Sequence, residues 1–199
     1  MTESPSNGSR PPRIALVVAA GFADWEYAFI AGTGGPFYGM DVEFFAPEPG
    51  KVVSQGGLSA LIPNAASDIL GWEPDVLAVI GGLSWDRDDA PDVSAILEAQ
   101  HRRGGTVAGI CGGTLALARA GLLDAVRHTS NDLDFLVRNA PGYRGGARFV
   151  RSAKAITDGR IVTAPGTAAA GFAAAVFRAA GMTAEIADGF LAMTAAEHA

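Results

Sequence analysis

Residues 13–19 (Arg-Ile-Ala-Leu-Val-Val-Ala) are a continuous apolar run of strand length with no polar alternation. Such a strand is buried on both faces, as a central strand of a parallel sheet is. Residues 75–80 and 107–110 repeat the pattern, and each run leads through a glycine-bearing loop into a helical segment. Strands that alternate with helices leave few folding solutions. The expected one is an α/β chain with a mostly parallel sheet covered by helices on both faces. Ligands bind such sheets at the carboxyl ends of the strands, so the loops 20–26, 81–84 and 111–113 are expected to converge there.

The remaining elements fit between these runs. Asp24 is a good N-cap for a helix over 25–31, and Gly32, Gly34, Gly35 and Pro36 are expected to break it. Residues 41–46 alternate as a second strand. Residues 51–53 and 58–61 flank Ser54-Gln55-Gly56-Gly57 as a small hairpin. Pro91 at a first-turn position starts a helix running to about Arg103. Residues 131–139 form a short helix. Asp158-Gly159 is a hairpin turn between 154–157 and 160–163. An alanine-rich helix spans 168–180, Gly181 stops it, and a last helix covers 183–196.

The chemistry concentrates at residues 105–120. The strand 107–110 ends in Cys111, the only cysteine; Gly112 and Gly113 follow, and then a helix. Strand, nucleophile, two glycines and helix make an elbow that pushes a side chain out of the backbone. Free N–H groups at the helix start favour a thiolate. The bland alternative is a small buried hydrophobe.

Composition excludes several classes. The net charge of -6 and the absence of a Lys/Arg block argue against nucleic acid and against an anionic membrane surface. No apolar run reaches the ~20 residues of a membrane span, and residues 1–12 lack a signal-peptide core. A single cysteine cannot form an intrachain disulfide, which points to a reducing, cytoplasmic setting. His101, His128 and His198 are too scattered for a metal site, and no cofactor is expected. Residues 1–12 are expected to be a disordered tail before a single domain, 13–199.

Taken together, Phe22-Ala23-Asp24-Trp25-Glu26, Val79-Ile80-Gly81-Gly82, the elbow 108–118, Ala120-Gly121-Leu122-Leu123-Asp124 and the stretch 158–167 resemble the ThiJ/PfpI superfamily over residues 13–181. That superfamily is related to the class I glutamine amidotransferases. The resemblance implies a flavodoxin-like three-layer sandwich with a nucleophile elbow, a homodimer, and a small-molecule substrate. It implies a nucleophile at Cys111 and an acidic partner from the first helix, Glu26, with Asp24 as the fallback. A protonated carboxyl can donate to a thiolate and relay a proton. Backbone N–H groups at Gly82, Leu83 and Gly112 are the expected oxyanion donors.

The departures from the pattern narrow the chemistry. Protease-like members carry a histidine directly after the cysteine, where this chain has Gly112. Many members have another histidine where this chain has Asn131, in His128-Thr129-Ser130-Asn131; His128 reaches that place only if the loop shifts register. Glutaminases use His-x-Glu near the end, and residues 160–170 contain neither. The expected function is therefore a cysteine-dependent hydratase or lyase on a small reactive electrophile, an isocyanide or a dicarbonyl. The alternative is a non-catalytic redox sensor or stress-protective protein working through oxidation of Cys111.

Overall fold

The computed structural model describes residues 10–196. Its main sheet has seven strands: β1 (Arg13–Val17), β2 (Asp41–Ala46), β5 (Asn64–Ala65), β6 (Val76–Val79), β7 (Thr106–Ile110), β8 (Ile156–Asp158) and β9 (Ile161–Ala164). Their order is β5-β2-β1-β6-β7-β9-β8, and every pairing is parallel except the β8–β9 hairpin. A separate antiparallel hairpin joins β3 (Gly50–Val53) to β4 (Ser59–Ile62).

The absence of alternation in β1 has the expected cause. Ile14 and Leu16 point into one apolar cluster, with Ile30, Phe172, Phe177 and Phe190. Ala15 and Val17 point into the other, with Leu97, Leu115, Leu117 and Leu136. The first cluster is roofed by α1 (Ala28–Tyr38), α6 (Ala169–Ala179) and α7 (Ala184–Ala195). The second is roofed by α2 (Ile69–Trp72), α3 (Ser94–Arg102), α4 (Gly113–Arg119) and α5 (Leu133–Asn139). Helix layer, sheet, helix layer is the flavodoxin-like sandwich anticipated from the sequence.

Several boundaries differ from expectation. Helix α1 starts later and runs through the glycines without a break, with Pro36 inside its last turns. Pro36 offers no N–H to the carbonyl of Gly32, but Gly32 is exposed, so water can satisfy that oxygen. Gly34 lets the helix lie close on Val42 and Phe177. Helix α3 begins at Ser94 rather than Pro91, because the Asp92 carboxylate accepts the Ser94 N–H at 2.9 Å. The two-residue strand β5 and the single turn α2 have no periodicity long enough to betray them.

Part of the expected tail is held. Arg10 forks onto both Asp75 carboxylate oxygens at 2.8 and 3.1 Å, and the Pro12 carbonyl accepts the Asp41 N–H. Residues 1–9 and His198 lie outside the described residues. Among those described, no helix is long and apolar enough to cross a membrane.

Leu16 sits at the centre of the sheet with no exposed surface. Leu16→Ala is expected to lower unfolding free energy by about 2–5 kcal/mol, the range for a buried leucine that leaves a cavity. Urea denaturation followed by circular dichroism measures it, with an unchanged m-value.

Candidate active site

The carboxyl ends of β1, β6, β7 and β9 bring four segments together. Cys111 ends β7 with φ +53°, a left-handed conformation that a non-glycine residue adopts at a cost of about 1–2 kcal/mol. The contacts of its own peptide hold it there. Its N–H donates to the Ala164 carbonyl at 2.9 Å, and its carbonyl accepts the Thr114 hydroxyl at 2.6 Å and the Thr114 N–H at 3.2 Å. Thr114 is locked in turn to the Ser130 hydroxyl at 2.7 Å. The elbow thus presents a partly buried thiol at the sheet edge.

Glu26 reaches this thiol from the turn preceding α1 and is fully buried. Its Oε2 accepts the Gly81 N–H at 2.8 Å. Its Oε1 meets no donor in hydrogen-bonding geometry, and the other group it senses is the Cys111 thiol. Burial pushes the Glu26 carboxyl up to about 7; the thiol and the Gly81 N–H pull it partly back. The close fit depends on Gly81, where a Cβ would lie 2.5 Å from Glu26 Oε2 and 2.7 Å from Cys111 Cβ.

Burial first, and then the Glu26 charge, push the Cys111 thiol up to about 11, against the Asn131 amide and the Gly112 N–H, which stabilise the anion. Sulfur and carboxyl titrate as one coupled, proton-sharing pair.

Asn131 stands beside the sulfur on the side away from Glu26's hydrogen bond to Gly81. Its side-chain orientation follows from its partners. Oδ1 accepts the Gly166 N–H at 3.0 Å, an atom that can only donate, so the amide nitrogen is the end facing Cys111 Sγ at 3.3 Å. Gly166 is a functional position that sequence reasoning missed. Its peptide is held on both sides, because its carbonyl accepts the Trp25 indole N–H at 2.9 Å. A Cβ at Gly166 would sit 3.0 Å from Cys111 Sγ and 3.1 Å from Glu26 Oε1, so a side chain there would crowd the pair that this strap covers. The signal available was the Pro165-Gly166-Thr167 turn just after a buried strand.

The other expected residues divide. The Gly82 and Gly112 peptides pack against each other: a Cβ at Gly112 would lie 3.3 Å from Gly82 N. Neither amide donates to a backbone oxygen among the described residues, and the Gly112 N–H faces the sulfur. Leu83 is not a free donor, because its N–H is committed to the Gly21 carbonyl at 3.0 Å. Asp24 neither caps α1 nor faces the thiol; its carboxylate accepts the Gly56 N–H at 2.8 Å and anchors the β3–β4 hairpin.

His128 is fully buried away from the sulfur. Its Nδ1 faces the Val126 carbonyl at 2.8 Å, which makes Nδ1 the protonated nitrogen and leaves Nε2 to accept the Tyr143 hydroxyl at 2.6 Å. Burial lowers its pKa, so the neutral ring is favoured. It anchors the segment that ends in Asn131. Among the described residues no group of three or more His, Cys, Asp or Glu side chains is arranged to hold a metal ion.

The DJ-1/PfpI family model matches residues 12–179. The Bacillus subtilis (strain 168) protein YoaZ, named an uncharacterized protease, is 30% identical over 173 residues, spanning 83% of this chain and 82% of its own. Among solved structures, the DJ-1 superfamily protein Atu0886 from Agrobacterium tumefaciens is 34% identical, superposes with a TM-score of 0.89, and is covered over 94% of this chain and 100% of its own. Oxidized DJ-1 from Toxoplasma gondii, at 20% identity over 92% of this chain and 97% of its own, shares the fold with a TM-score of 0.74.

Two outcomes follow from the proton-sharing pair. A carboxyl raised from 4.5 to about 7 by folding binds more protons in the native state than in the unfolded one between those values. Stability is therefore full below about pH 4.5 and falls by about 3 kcal/mol as pH rises through 7. Glu26→Gln removes this slope, which urea titrations from pH 4 to 8 of both proteins measure. Alkylation of Cys111 by iodoacetamide is expected to rise through pH 7 as the pair loses its first proton. In Glu26→Gln that inflection is lost, and the thiol titrates below about 11 because the neighbouring charge is gone.

Proposed function

The chain belongs to the DJ-1/PfpI family, and we propose that it is a cysteine-dependent hydratase or lyase acting on a small reactive electrophile of the isocyanide or dicarbonyl type. The observation that carries the proposal is the placement of one fully buried carboxyl, Glu26, beside the Cys111 thiol, where burial pushes its proton affinity up. A group with that affinity for a proton can both take and return one at neutral pH. No imidazole adjoins the sulfur among the described residues; the Asn131 amide does. An amide orients and stabilises but does not shuttle protons, which weighs against a Cys-His protease despite the name carried by the Bacillus subtilis relative.

For an isocyanide the steps balance as follows. Sulfur bonds to the terminal carbon, the thiol proton passes to Glu26, and Glu26 delivers it to that carbon, leaving a thioimidate on Cys111. Water adds to the same carbon as Glu26 takes one of its protons and hands it to the substrate nitrogen. The carbon–sulfur bond then breaks, the hydroxyl proton returns to sulfur, and a formamide departs. The net change is addition of one water. With a dicarbonyl, the first step is the same attack at the aldehyde carbon, and the Gly82 and Gly112 N–H groups are the donors available to the developing oxyanion.

Purified wild type is expected to convert small alkyl isocyanides to formamides or methylglyoxal to lactate, followed by NMR, with turnover abolished in Cys111→Ala. A wild type inert to both, whose Cys111 oxidises selectively under mild peroxide, would overturn the enzyme in favour of a redox sensor.

A further inference from the structure

A cavity of about 620 Å3 lies at the carboxyl ends of β1, β2 and β6, and Cys111 does not line it. Its position is topologically marked. The chain leaves β1 toward β2 on one side and returns to β6 on the other, so the strand order reverses between β1 and β6, whose following loops both line the cavity. Crevices at such a reversal are the habitual ligand sites of open α/β sheets, and the volume falls within the ordinary range for small-molecule sites.

The lining specifies the ligand. Ala19, Ala46, Val52 and Leu83 supply apolar wall. Around the mouth stand two acids and two bases. Arg87 and Asp89 satisfy one another at 2.9 Å. Glu48 and Lys51, both exposed, form no ion pair among the described residues. An apolar chamber whose rim offers one unspent negative and one unspent positive charge matches a molecule with an apolar body and a zwitterionic head.

We propose that this cavity binds a free α-amino acid with an apolar side chain, its carboxylate toward Lys51 and its ammonium toward Glu48. The site is separate from the Cys111 chemistry and stands or falls without it. The Leu83 N–H to Gly21 carbonyl bond ties together the β6 and β1 loops that line it.

The test is a chemical-shift titration of 15N-labelled protein with L-leucine. Saturable shifts are expected to cluster at residues 19–21, 51–53 and 83–84. Both 4-methylpentanoate, which lacks the ammonium, and 3-methylbutylamine, which lacks the carboxylate, are expected to bind at least roughly tenfold more weakly. Glu48→Gln and Lys51→Gln, both surface changes, are expected to weaken leucine by a similar factor while the rest of the spectrum stays intact. The proposal is overturned if leucine gives no saturable shift up to about 20 mM, a dissociation constant beyond any useful affinity. It is equally overturned if either half-headed compound binds as well as leucine, or if both variants bind leucine as wild type does.

Discussion

Everything at the carboxyl edge of the sheet is arranged around one buried carboxyl. Glu26 has no exposed surface and a single well-formed hydrogen bond, from Gly81. A carboxylate so placed is short of donors, and a buried charge short of partners raises its proton affinity until the neutral form competes. That shortage turns an ordinary glutamate into a proton store at neutral pH. It also dictates the neighbours, because glycine alone fits at position 81 and a side chain at 166 would crowd the carboxyl and the sulfur.

The layered fold was legible because its signals are long. Runs such as 13–19 and 75–80 are buried on both sides, and no other common environment tolerates them. The failures occur where a signal is short or is overridden. Asp24 has the chemistry of an N-cap, but the hairpin amide at Gly56 claims its carboxylate, and α1 starts at Ala28 without a side-chain cap. The glycines and Pro36 read as a break, yet packing of Ile30 and Gly34 against the sheet outweighs their poor helix propensity. Strand β5 owes its existence to Phe45 and Ala46 beside it, which no local pattern encodes.

The structure brings Cys111, Glu26 and Asn131 together, the first singled out in the sequence by its place at the elbow, the other two by the resemblance. The electrostatics of the site were not legible there. A cysteine before a helix suggests a lowered thiol pKa, but burial first and the neighbouring Glu26 charge second push it up instead. Gly166 escaped notice because its role is to be absent as a side chain, and its partners lie 35 and 141 residues away in the chain. Leu83 was misjudged for a related reason: whether an amide is free depends on which strand end lies opposite, here Gly21.

The indole of Trp25 is half exposed and grips the strap that closes over the sulfur, whereas Trp85 is entirely buried beneath the sheet edge with its own N–H on the Ile80 carbonyl. One of the chain's chromophores therefore stands at the door of the thiol and another is sealed from it. The polarity felt by the first changes with whatever sits over Cys111, while the second keeps a fixed background. The protein carries its own optical gauge of occupancy, with an internal reference, and needs no attached dye.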